Sequence, residues 1–221
     1  MKRLRAMRDR ALVRLMTTGA SRAREVVVGG LRVVVAPGVC NPAPFGNASF
    51  ARLYQAALVG LEARHHVLDL GTGCGIWALL AARTGARVTA TDLPGVDLGP
   101  IEASALRHDL TPPRVLEGHL FEPVDGERFD RVVFNPPFHL GVPRDAGERA
   151  YLGGADGEVV RAFLAGVAEH LTEDGSAYVI LPSIEREAYE RDLAVHAVED
   201  VERLWLPVLG RVHLLKLSPR R

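Results

Sequence analysis

The sequence has few of the residues that build disulfide frameworks, metal clusters or membrane spans. Its two cysteines, Cys40 and Cys74, lie far apart and lack the spacing of a metal-binding pair. No run approaches the ~20 apolar residues that a membrane-spanning helix needs, and the charged N-terminal segment lacks the apolar stretch of a secretory signal. We therefore expect a protein of the reducing cytoplasm with no membrane partner, and we assign no residue to a metal.

The net charge of zero conceals an excess of basic residues near the N-terminus. Residues 1–35 hold nine Lys and Arg against Asp9 and Glu25. Such an arm can contact phosphates. Alternatively, residues 4–16 form a solvated amphipathic helix, an interpretation favoured by the absence of aromatic residues among the basic ones. The apolar side chains expected to face inward from that helix are Leu4, Leu12, Val13, Leu15 and Met16.

The stretch VLDLGTGCGI at 67–76 organises the chain. Apolar residues at 66–70 predict a buried strand, and residues 76–83 predict a helix. The residues that separate them include three alternating glycines: Gly71, Gly73 and Gly75. Without side chains there, backbone N–H groups and the helix N-terminus can approach a ligand closely. The pattern predicts a nucleotide-type site, although Ile76 stands where a dinucleotide fingerprint has its third glycine.

Two acidic residues lie near the ends of the first two predicted strands. Asp69 precedes Gly71 by two residues and can face a cationic amino group. The strand at 87–92 ends in Asp92, 21 residues after Gly71, where an acid can hold ribose hydroxyls. The order of strand, glycines, helix, strand and acid is a much stronger signal than the glycines alone.

In these residues the chain resembles the class I S-adenosylmethionine (SAM)-dependent methyltransferases. The matching segments are DLGTGCG at 69–75 and the pair Asp92-Leu93. The resemblance implies that Asp69 and the glycines hold the methionine part of SAM, with Thr72 in the same loop. It also implies that Asp92 holds the ribose and that Leu93 lies against the adenine. The alternative is an NAD-binding or non-binding turn of a similar fold.

The third predicted strand, 114–117, leads to His119 and Leu120. Relatives usually place an acid near the adenine amino group at this point, and His119 occupies that place here. Leu120 is expected to pack on the adenine ring. We therefore predict both residues as cofactor contacts.

Strands that alternate with helices predict a parallel sheet covered on both faces, with ligands beyond the carboxyl ends of the strands. The expected fold class is α/β: a Rossmann-like class I methyltransferase fold with a mostly parallel seven-stranded sheet and a C-terminal antiparallel hairpin. Residues 1–46 are expected to form a helix and β-hairpin cap, and residues 47–221 the SAM-binding domain. Predicted helices lie at 50–61, 101–108, 158–171 and 184–195; the remaining predicted strands lie at 129–135, 176–181, 202–208 and 211–217.

The sequence Asn135-Pro136-Pro137-Phe138 at the end of the fourth strand is more specific than the glycines. Two successive prolines fix a stiff, carbonyl-rich turn. The Asn135 side-chain oxygen and the Pro136 carbonyl can accept hydrogen bonds from one planar NH₂ group, and Phe138 can stack on it. Held so, the nitrogen would aim its lone pair at the sulfonium methyl. We predict these three as catalytic residues, with Asn135 also a cofactor contact; the alternative is a rigid turn with no substrate role.

This motif narrows the resemblance to methyltransferases that act on amide or exocyclic amino nitrogen, and in particular to the release-factor glutamine branch. GGADG at 153–157 is a further similarity. The chain departs from that branch at Phe138, where tyrosine is usual, at His119, and in a shorter N-terminal region. The resemblance implies a protein glutamine or small-molecule acceptor. The alternatives are an RNA or DNA amino methyltransferase, an enzyme of this fold that cyclises SAM, and a non-catalytic SAM-fold subunit.

Candidate substrate contacts flank the motif and precede the helix predicted at 50–61. Each has a structural alternative, either core packing or an exposed loop. The predicted contacts are Phe45, Asn47, His139 and Tyr151, with Asn41, Arg144 and Glu148 as further candidates.

Overall fold

The computed structural model describes residues 2–17, 22–43, 47–206 and 209–220, with the backbone alone at 2–6, 15–17 and 47–49. The helices are α1 (Lys2–Thr17), α2 (Asn47–Ala56), α3 (Ile76–Ala82), α4 (Gly99–Arg107), α5 (Ala146–Arg149), α6 (Glu158–Gly166), α7 (Ser183–Arg186) and α8 (Glu190–Leu193). The strands are β1 (Arg24–Val28), β2 (Leu31–Val35), β3 (His66–Leu70), β4 (Arg87–Asp92), β5 (Arg114–Glu117), β6 (Phe129–Phe134), β7 (Leu171–Pro182), β8 (His196–Leu206) and β9 (Gly210–Pro219). Short 3₁₀ helices lie at Glu122–Val124, Val167–His170 and Glu187–Tyr189.

Seven strands form one mixed sheet in the order β5-β4-β3-β6-β7-β9-β8. The first five are parallel, whereas β9 runs antiparallel to both β7 and β8. This confirms the predicted Rossmann-like sheet with its closing antiparallel hairpin. The chain builds outward from β3 in one direction through β4 and in the other through β6, so a topological switch point lies beside β3, where such sheets bind ligands.

The register of the three central strands decides which residues meet at that point. Leu70 of β3 pairs with Thr91 of β4 and with Phe134 of β6. The next residue along each strand is therefore at the same level of the sheet. Those three residues are Gly71, Asp92 and Asn135.

Each face of the sheet has its own apolar core because side chains alternate along the strands. Val67 of β3 belongs to the core shared with α2, α3 and the β1–β2 hairpin, whereas Leu68 and Leu70 belong to the core shared with α6. The hairpin inserts Val28 and Val33 into the first core and packs against α2, α3 and α4. In α1, Val13 is buried as predicted and Leu12 is half-buried; the other three predicted inward residues, Leu4, Leu15 and Met16, have side chains outside the described set.

Two predicted helices are shorter than their apolar spacing suggested. The helix predicted at 50–61 ends at Ala56, and the chain then turns through Gly60, whose φ of 77° lies in the left-handed region. The helix predicted at 158–171 ends at Gly166 and tightens into a 3₁₀ turn, because Leu171 already pairs with Phe129 at the start of β7.

The C-terminal third differs most from prediction. The helix predicted at 184–195 consists of α7, a 3₁₀ turn and α8. The strand β8 begins at His196, six residues before its predicted start, since an edge strand exposes charged side chains such as Glu199 and so hides its alternation. No helix in the described segments combines the length and apolar character that a membrane crossing requires.

Candidate functional site

A cavity of about 540 Å³, called here the large cavity, opens at the carboxyl ends of β3, β4 and β6. Its walls include most of the predicted cofactor residues: Asp69, Gly71, Thr72, Gly73, Asp92, Leu93, His119, Leu120 and Asn135. Residues more than 60 positions apart in sequence are therefore brought to one concave surface, as the strand order requires.

The glycine loop between β3 and α3 allows the backbone to approach the cavity. Gly71 has φ 60°, and an added Cβ would lie 3.0 Å from the Phe134 ring. Gly75 has φ 76°, and an added Cβ would lie 2.8 Å from the Ile101 side chain. A residue with a side chain would be strained at both positions, in its backbone and in its packing. Gly75 caps α3 rather than lining the cavity, so its role is to start the helix.

Asp69 fastens the glycine loop to α3. Its Oδ2 accepts hydrogen bonds from the Thr72 hydroxyl at 2.7 Å and from the Ala78 backbone N–H at 2.9 Å. Burial raises the pKa of this carboxyl to about 7, against the two hydrogen bonds that lower it. A cationic group bound in the large cavity beside Asp69 would favour the ionised carboxylate.

Asp92, at the end of β4, also holds the glycine loop in place. Its Oδ2 accepts from the Gly73 N–H and its Oδ1 from the Leu93 N–H, both at 2.7 Å. Burial raises the pKa of Asp92, although both backbone hydrogen bonds favour its ionised form. Each oxygen keeps a second lone pair, so a ligand hydroxyl can still bind to this carboxylate.

The segment after β5 forms another part of the cavity wall. The Gly118 N–H donates to the Asp92 carbonyl at 2.9 Å and holds the two strand ends together. Leu120 has a left-handed φ of 46°, unusual for a residue with a side chain, and lines the cavity. His119 lines it as well, through a turn in which its backbone N–H donates to Glu122.

Asn135 lies in the wall of two cavities. Besides the large cavity it borders a small one of about 30 Å³, whose other walls are Cys40, Asn41, Phe50, Tyr54, Pro136, Phe138, Ala150, Tyr151 and Leu209. The Asn135 Oδ1 atom is buried and has no hydrogen-bond partner among the described residues. A buried carboxamide oxygen without a partner is unfavourable, so this atom is available to a donor from a ligand.

The predicted substrate residues separate into two groups. Tyr151 lines the small cavity beside Asn135, where burial raises the pKa of its hydroxyl. Asn41 also lines it, and its Oδ1 accepts from the Ala43 N–H at 3.1 Å. Phe45 lies outside the described residues, and of Asn47 only the backbone is described.

His139, a predicted substrate contact, lines neither of these two cavities. Its ring is 2% exposed and lies against Asp9 and Glu185, because the chain after the Asn-Pro-Pro-Phe turn pairs with Leu152 and directs the ring toward α1. Arg144 and Glu148 line neither cavity and pair with each other; the guanidinium lowers the pKa of Glu148 to about 2. Phe138 borders only the small cavity, so any stacking on an acceptor would take place there.

Other residues of the large cavity carried no recognisable signal in the sequence. The segment after β2 supplies one wall, and the buried Thr91 hydroxyl makes no hydrogen bond with any described residue. Side chains from α5 and α6 complete the wall. These additional residues include Pro37, Gly38, Val39, Thr91, Arg149 and Glu158. Pro37, Gly38 and Val39 lie in a segment rich in proline and glycine, 37–46, whose composition does not show which way the loop folds.

Comparison with known proteins places this geometry in context. Residues 32–194 match the family described as "Methyltransferase small domain". A release factor glutamine methyltransferase of Xylella fastidiosa is 36% identical over 142 residues, which cover 58% of this chain and 52% of that protein. A ribosomal protein uL3 glutamine methyltransferase of Bradyrhizobium diazoefficiens is 35% identical over 153 residues, 63% of this chain and 46% of that protein. A ribosomal RNA small subunit methyltransferase C of Marinomonas sp. is 33% identical over 131 residues, 58% of this chain and 34% of that protein.

Solved structures show the same fold. The 16S rRNA N2 G1207 methyltransferase of T. thermophilus, solved with AdoMet and guanosine, has a TM-score of 0.63 at 23% identity, covering 90% of this chain and 50% of that one. The Mtq2–Trm112 complex of E. cuniculi has a TM-score of 0.55 at 24% identity, covering 76% of this chain and 93% of that one. The chain spans about half the length of the first two relatives above. The predicted class, SAM-dependent methyltransferase, is confirmed at the level of the family. Because the family match extends over most of its length, the chain belongs to the methyltransferase small domain family.

Proposed function

We propose that this chain binds SAM in the large cavity and transfers its methyl group to an amide or amine nitrogen held at Asn135. The observation that carries the proposal is the buried, unpartnered Oδ1 of Asn135 at the boundary of the two cavities. A donor from the acceptor would complete the hydrogen bonding of this atom.

The residues of the large cavity fit SAM. Two carboxylates, Asp69 and Asp92, stand beside an open glycine loop, and the remaining wall is largely apolar. Asp69 suits an ammonium group, and Asp92 suits ribose hydroxyls. Leu93 and Leu120 provide apolar surface for an adenine ring, and His119 lines the same cavity. When bound, SAM supplies an electrophilic methyl group on a sulfonium.

Asn135 and Pro136, at the boundary with the small cavity, would position the acceptor. The Asn135 Oδ1 and the Pro136 carbonyl would each accept one hydrogen of a planar NH₂ group, so that the nitrogen lone pair points toward the large cavity. Such positioning, together with electrostatic matching in the transition state, is the main source of rate acceleration for a group transfer that needs little acid–base chemistry. The apolar wall of the small cavity excludes water from the nitrogen.

The favoured acceptor is the side-chain amide of a protein glutamine or an amide of a small metabolite. Two of the relatives above are named for glutamine methylation, and the small cavity has room for a narrow group only. A second candidate is an amino group of RNA, since another of the relatives above is named for ribosomal RNA. In that case the basic residues near the N-terminus would contact phosphates.

The test is incubation of the full chain with methyl-labelled SAM and separate panels of peptides, RNA and metabolites. We expect label on an amide or amine nitrogen, absent with Asn135→Ala. Transfer to RNA that falls steeply with added salt would identify the second candidate. Consumption of SAM with no acceptor present would indicate cyclisation instead, and label on carbon or oxygen would contradict the proposal.

A further inference from the structure

Three ionisable side chains that neither cavity uses meet behind the Asn-Pro-Pro-Phe turn. They are Asp9 of α1, His139 after the turn and Glu185 of α7. All three are buried, with 0–2% of their surface exposed. Each offers one nitrogen or oxygen atom, and these atoms lie within 4.8 Å of one another. The fold has therefore collected a metal-type ligand set from residues 9, 139 and 185, a spacing that no sequence motif would show.

The imidazole of His139 is the unusual member. Both of its ring nitrogens are buried and neither makes a hydrogen bond within the described residues. Its Nδ1 lies 3.5 Å from Glu185 Oε1 and 4.0 Å from Asp9 Oδ1. His213 provides a contrast: it is also buried, but its Nδ1 lies 2.9 Å from Asp200 Oδ1 and its Nε2 2.7 Å from the Ser183 hydroxyl. A buried imidazole without partners is costly, and a metal ion would bind one of its free nitrogens.

Among the described residues, Arg8 contacts both carboxylates. Its Nε donates to Asp9 Oδ1 at 2.8 Å, and its Nη2 donates to Glu185 Oε1 at 3.1 Å. The Arg8 side chain is 43% exposed, whereas the two carboxylates are fully buried. Arg8 can therefore withdraw into solvent and leave a path to the cluster.

We propose that Asp9, His139 and Glu185 bind a divalent transition metal, with Zn²⁺ as the reference ion, and that Arg8 is displaced when the ion enters. One imidazole and two carboxylates form a ligand set that zinc accepts. Ligand atoms about 2.0–2.1 Å from a tetrahedral zinc ion lie roughly 3.4 Å apart, so the observed separations need only a small contraction. Water entering where Arg8 leaves would provide the fourth ligand.

Such an ion would fasten α1 to the loop that follows the motif. Asp9 already reaches that loop, since its Oδ2 accepts from the Leu140 N–H at 3.3 Å. None of the three ligands lines the large cavity, so the metal would have no part in the proposed methyl transfer. Its role would be to hold the N-terminal helix in place, because a metal that binds only the folded chain stabilises it by mass action.

The experiment is a calorimetric titration of the full chain, without an affinity tag and depleted of metal, with Zn²⁺. We expect one ion per chain, bound with a Kd below about 10 μM. The variant His139→Gln, which lacks one ligand, should bind Zn²⁺ at least ~10-fold more weakly than the wild type. The matched control His213→Gln should bind Zn²⁺ as tightly as the wild type. Arg8→Ala should bind at least ~3-fold more tightly, because a competing cation has been removed.

The variants distinguish the proposal from a simple buried ion pair. An ion-pair cluster without a metal function would give no saturable zinc binding, or binding that His139→Gln leaves unchanged, and either result would overturn the proposal. Unchanged or weaker binding in Arg8→Ala would also contradict it. If His139→Gln does not fold, Co²⁺ titration of the wild-type chain decides: a visible absorption band that Zn²⁺ abolishes is expected, and its absence would count against the site.

Discussion

The two sides of the large cavity are built differently. On the cofactor side, Asp69 and Asp92 already accept hydrogen bonds from the glycine loop and its neighbours. On the acceptor side, the buried carboxamide oxygen of Asn135 makes no hydrogen bond with any residue that the structure describes. The carboxyl groups of Asp69 and Asp92 therefore hold the loop in shape before any ligand arrives, whereas the Asn135 oxygen is left for a ligand. Under the proposed function, the carboxyl side binds the cofactor and the Asn135 side acts on the acceptor.

The largest effect should follow removal of the Asn135 side chain. If its oxygen acts on the acceptor nitrogen, Asn135→Ala should lower turnover at least ~100-fold, the scale of losing one transition-state hydrogen-bonding group. The affinity for SAM should change less than about threefold, because the carboxylate side is untouched. Turnover is measured with labelled SAM and affinity by calorimetry. Equal losses in both quantities would remove the distinction between the two sides.

The converse variant sharpens the comparison. Asp92→Asn replaces one acceptor oxygen with a donor that faces a backbone N–H group, that of Gly73 or that of Leu93. We expect SAM affinity to fall about 10- to 30-fold, equivalent to roughly 1.4–2 kcal/mol, with a smaller change in the rate at saturating SAM. Asp97→Asn is the control, since Asp97 also accepts from a backbone N–H, that of Gly99, but does not line the cavity. A normal affinity for SAM in Asp92→Asn would rule out the ribose assignment.

Some of this site could be predicted from sequence because its signals are local. The strand-glycine-helix pattern at β3 and the acid ending β4 specify their own geometry, and Asn135 follows a strand directly. His139 could not be placed, because the direction of its ring depends on pairing with Leu152 and on the docking of α1. The partners of that ring lie at positions 9 and 185, so only the tertiary fold brings them together.

The limits of the fold prediction have the same origin. The charged edge strand β8 pairs along its length with β9, and this pairing determines its structure. The interrupted helical segment from α7 to α8 is held by packing, since Tyr189, in the 3₁₀ turn between these two helices, is fully buried. Local propensity is weak there, and tertiary packing decides.

The pH dependence of SAM binding should report on Asp69. Burial raises the pKa of the Asp69 carboxyl from its ordinary value of 3.8 to about 7. Between these two pH values the folded protein without ligand keeps a proton on this carboxyl, whereas the unfolded chain has released it. The stability contributed by this proton is greatest at low pH and is lost as the pH rises through about 7. A cationic ligand favours the carboxylate, so SAM affinity should rise up to ~10-fold per pH unit between about pH 5 and 7.

Calorimetry in buffers of different ionisation enthalpy measures the released proton directly. Asp69→Asn, which cannot ionise, should bind SAM more weakly and with a nearly flat pH profile. A wild-type affinity that is constant across this range would show that no cation binds beside Asp69.

The smallest effect concerns stability without ligand. Removing the Asn135 carboxamide deletes an acceptor that has no partner, so Asn135→Ala should change the free energy of unfolding by less than about 0.5 kcal/mol. Thr72→Val removes a 2.7 Å hydrogen bond to Asp69 and should cost about 1 kcal/mol. Urea titration of both variants makes the comparison. A larger loss in Asn135→Ala than in Thr72→Val would mean that Asn135 serves the fold.

The most direct test of the account is calorimetric titration of the wild-type chain with SAM and, in parallel, with NAD. A cavity organised as described should bind one SAM per chain in the micromolar range usual for enzyme substrates, and NAD at least ~100-fold more weakly, since Ile76 replaces the third glycine of the dinucleotide fingerprint. Binding of NAD with equal or greater affinity, or no binding of SAM at millimolar concentration, would contradict the central claim.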